Sequence, residues 1–148
     1  MIKTRAWWLS VLLAVAATPV AAAEFRSVAE TAAVLYDAPS LKARKRYILG
    51  RGYPVEVVVS VEGWTKIRDA GGELAWIEAR SLSERRSVMV KVPLADVRAA
   101  ADDKAPLTFQ AEQNVLLELN ELTGTGWARV THRDGQSGYI KLNVVWGV

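Results

Sequence analysis

The sequence has no cysteine and one histidine in 148 residues. Without cysteine there can be no disulfide, no thiolate nucleophile, no thiolate metal site and no lipid attached through an N-terminal cysteine. One histidine, His132, cannot build a multi-histidine metal centre. It sits beside the turn Arg133-Asp134-Gly135, with Ser137 nearby. A nucleophile and base need a third group to orient them and an oxyanion site, and a tight turn offers neither. The acidic pair Asp102-Asp103 reads as a loop, not as a calcium site. No phosphate-cradling G-x-x-x-x-G-K-S/T run is present. These absences lead to the expectation of a protein that is not an enzyme and carries no cofactor and no metal.

Long hydrophobic runs and a strong charge bias are also missing. The most apolar stretch, Ala6 to about Val20, is shorter than the roughly 20 residues of a membrane-spanning helix. It follows Lys3 and Arg5 and precedes Ala21-Ala22-Ala23. A positive start, a short apolar run and an A-x-A site form the pattern of a secretory signal peptide, residues 1–23. Cleavage after Ala23 leaves Glu24–Val148, 125 residues, with no stable membrane span. The expected location is the periplasm. Loss of Lys3 and Arg5 lowers the net charge from +3 to +1, and the mixed charges that remain do not favour nucleic acid. The local exception, Lys42, Arg44, Lys45 and Arg46, reads as a solvated loop or as a contact to an anionic polymer or a partner's acidic face.

What is present is a repeat. Gly63-Trp64-Thr65-Lys66-Ile67 precedes Ala75-Trp76-Ile77, and Gly126-Trp127-Ala128-Arg129-Val130 precedes Gly138-Tyr139-Ile140. In each copy the aromatics stand 12 positions apart, and the copies lie 63 apart. A fixed period means a duplicated unit. Period-2 alternation in Val55, Val57, Val59 and Val61, and in Val115, Leu117 and Leu119, predicts strands. Asp69-Ala70-Gly71-Gly72 and Arg133-Asp134-Gly135-Gln136 predict hairpin turns. Leu94–Lys104 has helical composition, but Ala95 to Ala99 aligns with Ala33 to Asp37 of the first copy, so a strand is expected there. The predicted fold is all-β, with two modules at 24–84 and 93–148. The joining segment 85–92 alternates like a strand and is not Gly/Ser-rich. Modules this small gain by packing together, so a compact pair is expected.

Alternation also assigns faces. Thr65, Ile67, Ala128 and Val130 should point inward, as should Ile77 and Ile140. Trp64, Lys66 and Arg68 should then share a solvated face with Trp76, and Trp127 and Arg129 should share one with Tyr139. An exposed aromatic pair in each module marks an interaction surface. In the competing arrangement, a loop or the sister module covers each pair.

Ala33-Val34-Leu35-Tyr36-Asp37 resembles the ALYDY strand of SH3 domains, Gly63-Trp64-Thr65-Lys66-Ile67 the WWK strand, and Gly138-Tyr139-Ile140-Lys141-Leu142-Asn143-Val144-Val145 the GYIPSNYV segment. The chain from about 25 to 148 is similar to the exported tandem bacterial SH3 (SH3b) proteins of Gram-negative bacteria. The resemblance implies two small, strongly bent five-stranded barrels. By the same resemblance Tyr36, Trp64 and Trp76 line a groove in the first module, and Trp127 and Tyr139 line one in the second. The pattern departs at the groove proline, which is Glu78 or Lys141, and at its later tyrosine, Ser81 or Val144. The second ALYDY tyrosine is Ala38, and Arg98 stands where Tyr36 would be. A reader of Pro-rich helices is therefore not expected.

The resemblance implies recognition of peptidoglycan or its peptides, with Lys66, Arg68 and Arg129 meeting carboxylates beside the aromatics. The alternatives are a scaffold for another envelope protein, using exposed strand edges, and an assembly in which the modules bury their aromatics against each other.

Overall fold

The structure, a computed structural model, describes residues 21–148 together with Ala17 and Pro19. The segment read as a signal peptide lies outside the described residues, apart from these two and the stretch Ala21–Ala23, which is exposed and precedes the first strand. Seven strands build the first half: β1 (Glu24–Val28), β2 (Ala32–Tyr36), β3 (Lys45–Gly50), β4 (Pro54–Val61), β5 (Trp64–Arg68), β6 (Leu74–Glu78) and β7 (Leu82–Ser83). Seven more build the second: β8 (Ser87–Val90), β9 (Leu94–Arg98), β10 (Leu107–Glu112), β11 (Leu116–Leu122), β12 (Trp127–Thr131), β13 (Ser137–Lys141) and β14 (Val145–Trp146). A 3₁₀ turn, Ala79–Ser81 or Leu142–Val144, precedes the last strand of each half. The fold is all-β, as the repeat predicts, and Leu94–Arg98 is a strand.

Both sheets have the same order, β3-β2-β6-β5-β4-β1-β7 and β10-β9-β13-β12-β11-β8-β14, with every pairing antiparallel. The joining segment supplies β8, which pairs with β11 and β14 and does for the second module what β1 does for the first.

The cores follow the alternation. Leu35, Ile67 and Ile77 are fully buried in the first module, and Val97, Val130 and Ile140 take their places in the second. Each such side chain contributes roughly 1.5–3 kcal/mol relative to exposure. The valine run of β4 does not keep its alternation. A bulge between Val57 and Val59 shifts the register against β5, and Val58, Val59 and Val61 are all exposed. The matching bulge in β11 lies between Leu119 and Glu121. An extra residue on one strand turns the following side chains away from the face they would have kept.

The modules are packed together. The Phe25 ring, 5% exposed, meets Trp146 edge to face with centroids 5.1 Å apart. The Arg86 guanidinium lies 5.6 Å from the Phe25 ring centre, and Arg86 Nη2 donates to the Gly147 carbonyl at 2.8 Å. Ser27 Oγ donates to the Arg85 carbonyl at 2.6 Å, and Ser87 Oγ donates to the Gly52 carbonyl. Gly147 has φ +120°, and a Cβ there would stand 2.7 Å from the Ser87 carbonyl oxygen and 3.2 Å from Pro54 Cβ. Only glycine allows that approach.

Candidate functional site

In the first module the aromatic face is built by β2, β5 and β6. Tyr36 pairs with Trp76 across β2 and β6, and Lys66 pairs with Trp76 across β5 and β6. Alternate residues of a strand share a face, so Trp64 stands beside Lys66 on this side. The Tyr36 and Trp64 rings pack at 5.4 Å and 87°, the edge-to-face geometry that aromatic quadrupoles favour. Lys66 Nζ lies 6.0 Å from the Trp76 ring centre, within reach of a cation–π attraction. Trp64, Lys66 and Trp76 are half-buried, whereas Tyr36 is buried at 5% exposure and acts as a wall.

The cations of this face differ in their commitments. Arg68 Nη1 holds Glu56 Oε2 at 2.7 Å across β4 and β5. Arg80 Nε holds Glu78 Oε2 at 2.8 Å, and that bond raises the guanidinium's affinity for its proton above the usual value. Among the described residues Lys66 has no carboxylate partner. It is the cation available beside the tryptophans.

The second module places the predicted residues differently. Arg129 is exposed, as expected, and it is Arg129, not Trp127, that stands directly opposite Tyr139. Trp127 is 9% exposed and does not form the open face that alternation predicts. Lys141, directly opposite it on β13, sets its ammonium 5.6 Å from the indole centre and pairs with Asp103 from the β9–β10 loop. Arg98, at the position of Tyr36, is also tied down: Nη2 holds Asp96 Oδ2 at 2.9 Å and Nη1 donates to the Ala105 carbonyl at 2.9 Å. The Lys141–Asp103 pair and the β9–β10 loop thus close over Trp127, while Arg129 stays exposed. Asp103 and Lys141 were visible in the sequence only as a loop acid and a departure from the groove proline.

The junction between the modules uses Phe25 and Trp146. In the basic cluster, Arg44 pairs with Asp37, and Arg46 holds Glu73 at 3.0 Å and the Leu74 carbonyl. His132 Nδ1 lies 3.0 Å from Asp134 Oδ1, with the His132 ring tilted beside Phe109. Hydrogen bonds from Gln136, and then His132, hold the Asp134 carboxyl down at about 2. Among the described residues no three His, Asp or Glu side chains converge as metal ligands, and no helix is long and apolar enough to cross a membrane.

The family model described as "Bacterial SH3 domain" matches the chain twice, over residues 29–84 and 91–147. The chain belongs to the bacterial SH3 domain family. No curated protein matches it. Among solved structures it is similar to NlpC2 from Trichomonas vaginalis (21% identity, TM-score 0.39, covering 86% of this chain and 49% of that one). It is also similar to NlpC1 from Trichomonas vaginalis (21%, TM-score 0.40, 95% and 51%). A third is an NlpC/P60 family protein from Bacillus cereus ATCC 10987 (17%, TM-score 0.38, 83% and 56%). The chain spans about half the length of these proteins. In SH3 terms Lys141, in the groove-proline position, lies over the tryptophan it opposes, while Glu78 in the first module turns to Arg80 and leaves Trp64 uncovered by a cation.

Proposed function

We propose that this protein is a non-enzymatic binding module of the periplasm that recognises peptidoglycan through the aromatic face of its first SH3 module. The observation that carries this reading is the cluster of Tyr36, Trp64 and Trp76 with Lys66 unpaired beside it. Half-exposed tryptophans stack on sugar or peptide faces, and the Lys66 ammonium meets a stem-peptide carboxylate. The signal-peptide-like pattern of residues 1–23 and membership of the bacterial SH3 domain family support that setting. The second module, with Trp127 beneath Lys141, supports the first and is not a second equal site.

The test is co-sedimentation of the purified protein with isolated sacculi at low and at moderate salt. Trp64→Ala should abolish salt-resistant pelleting, and Trp127→Ala should lower stability with retention intact. Pelleting by the Trp64→Ala protein equal to the parent's would remove this site assignment. A second reading, a scaffold for another envelope protein, is favoured by the exposed Val58, Val59 and Val61 of β4. It predicts no retention on bare wall and one stoichiometric cross-linked protein.

A further inference from the structure

We propose that the cleft between the two modules is a second binding site, independent of the aromatic face, for a small ligand carrying two or more oxyanion groups on an apolar frame. The cleft has a volume of about 890 Å³, within the usual size of small-molecule sites. Both modules line it. Arg51 comes from the β3–β4 turn, Arg85 and Arg86 from the joining segment, and Arg133 from the β12–β13 turn, while Val28 and Leu116 give it apolar wall.

Charge decides the ligand class. One carboxylate, Glu118, lines the cleft, and Arg85 holds it at 3.2 Å. Among the described residues Arg51 and Arg133 have no ion-pair partner, and both are exposed. Arg86 is fixed by the Gly147 carbonyl and the Phe25 ring, and its Nε is buried without a hydrogen-bond partner. Burial, and then the like charge of Arg26, lower its affinity for its proton. Guanidinium groups suit carboxylate and phosphate oxygens alike, often two at a time. Because Arg51 and Arg133 belong to different modules, the site exists only while the modules are docked. A ligand held by both stabilises the pair by mass action.

The full protein should be titrated with acetyl-Leu-Glu-Glu, with inorganic pyrophosphate and with the neutral control acetyl-Leu-Gln-Gln, following backbone amide shifts. The expected result is saturable shifts at Gly52, Ser87 and Leu116 with at least one oxyanion probe and none with the control. The tighter probe identifies carboxylate or phosphate as the natural group. Arg51→Gln and Arg133→Gln should each weaken binding about tenfold, the scale of one charge-assisted contact. Neither residue has a folded partner to lose, and an unchanged thermal midpoint checks this. Trp64→Ala should leave the titration unaltered, which separates this site from the wall-binding face. No saturable shift with either oxyanion probe, or shifts indifferent to both arginine substitutions, would overturn the proposal.

Discussion

Asp69, in the β5–β6 turn, is a buried carboxylate with three donors. The Gly71 and Glu73 amides each donate to Oδ1 at 2.9 Å, and the Tyr47 hydroxyl donates to Oδ2 at 2.9 Å. Burial, and then Asp69, push the Tyr47 phenol well above its ordinary value, and burial raises Tyr53 beside it. A raised folded value means that the neutral phenol is favoured in the folded state. Its contribution is therefore complete below about pH 10 and is lost as pH climbs through the alkaline range. The tyrosine contribution to the unfolding free energy should stay level up to about pH 10 and fall above it. Tyr47→Phe should cost about 1.5–3 kcal/mol at neutral pH, the scale of a hydrogen bond to a charged group. It should also flatten part of the alkaline fall, the Tyr53 share remaining. Denaturant midpoints measured across that pH range check this, and an alkaline slope unchanged by Tyr47→Phe would show that the pair carries no linkage. The sequence gives no hint of this contact. Tyr47 and Asp69 are 22 positions apart, and the second copy replaces them with Phe109 and His132, so the repeat does not point to them. The burial of Trp127 escaped alternation for a related reason: alternation reports which side of a strand a residue occupies, whereas the Lys141–Asp103 pair that covers Trp127 is a tertiary contact.

Strands and turns were legible because each is a local pattern. Ile67, Ile77 and Ile140 reach the core as their spacing dictates, and both glycine turns close hairpins. The bulge at Val57 was not legible, since four alternating valines read the same with or without an extra residue. The crossing of β13 over β9 was not legible either. Gly138 lies where Tyr139 pairs with Arg98, and a Cβ at 138 would stand 2.7 Å from both the Arg98 carbonyl oxygen and Val97 Cγ1. The first module has Ala75 at this register, buried and accommodated. The two barrels thus differ in how closely these strands approach. Gly138→Ala should cost about 1–3 kcal/mol through overpacking of a fixed crossing, read as a lowered thermal midpoint. Ala75→Gly should cost about 1 kcal/mol or less. Equal tolerance at both positions would mean that β9 yields.

At the scale of the whole molecule, the expectation of a compact pair rested on size: each module is small and no disulfide is available to staple it. The residues that make the pair were not foreseen. Phe25 is buried yet is absent from the first module's core cluster, because its ring is turned to Trp146 and Arg86. Gly147 and Pro54 bring the backbones close, and Ser27 donates to the Arg85 carbonyl while Ser87 donates to the Gly52 carbonyl across the join. A junction so built should make the two barrels unfold as one unit, with calorimetric and van't Hoff enthalpies equal. Phe25→Ala removes the ring from both Trp146 and Arg86. It should cost about 3–5 kcal/mol, the scale of truncating a buried phenylalanine, and should resolve the single transition into two, with the module that gains least from its own core melting first. Phe25→Leu, which keeps most of the apolar contact, should retain one transition at an intermediate midpoint. Because the ring contributes nothing to the first module's core cluster, its loss should leave the amide exchange of Leu35 and Ile67 slow while that of Val28 and Ser87, at the join, becomes fast. A Phe25→Ala protein with one transition and unchanged exchange at Ser87 would show that the connecting strand alone holds the barrels together.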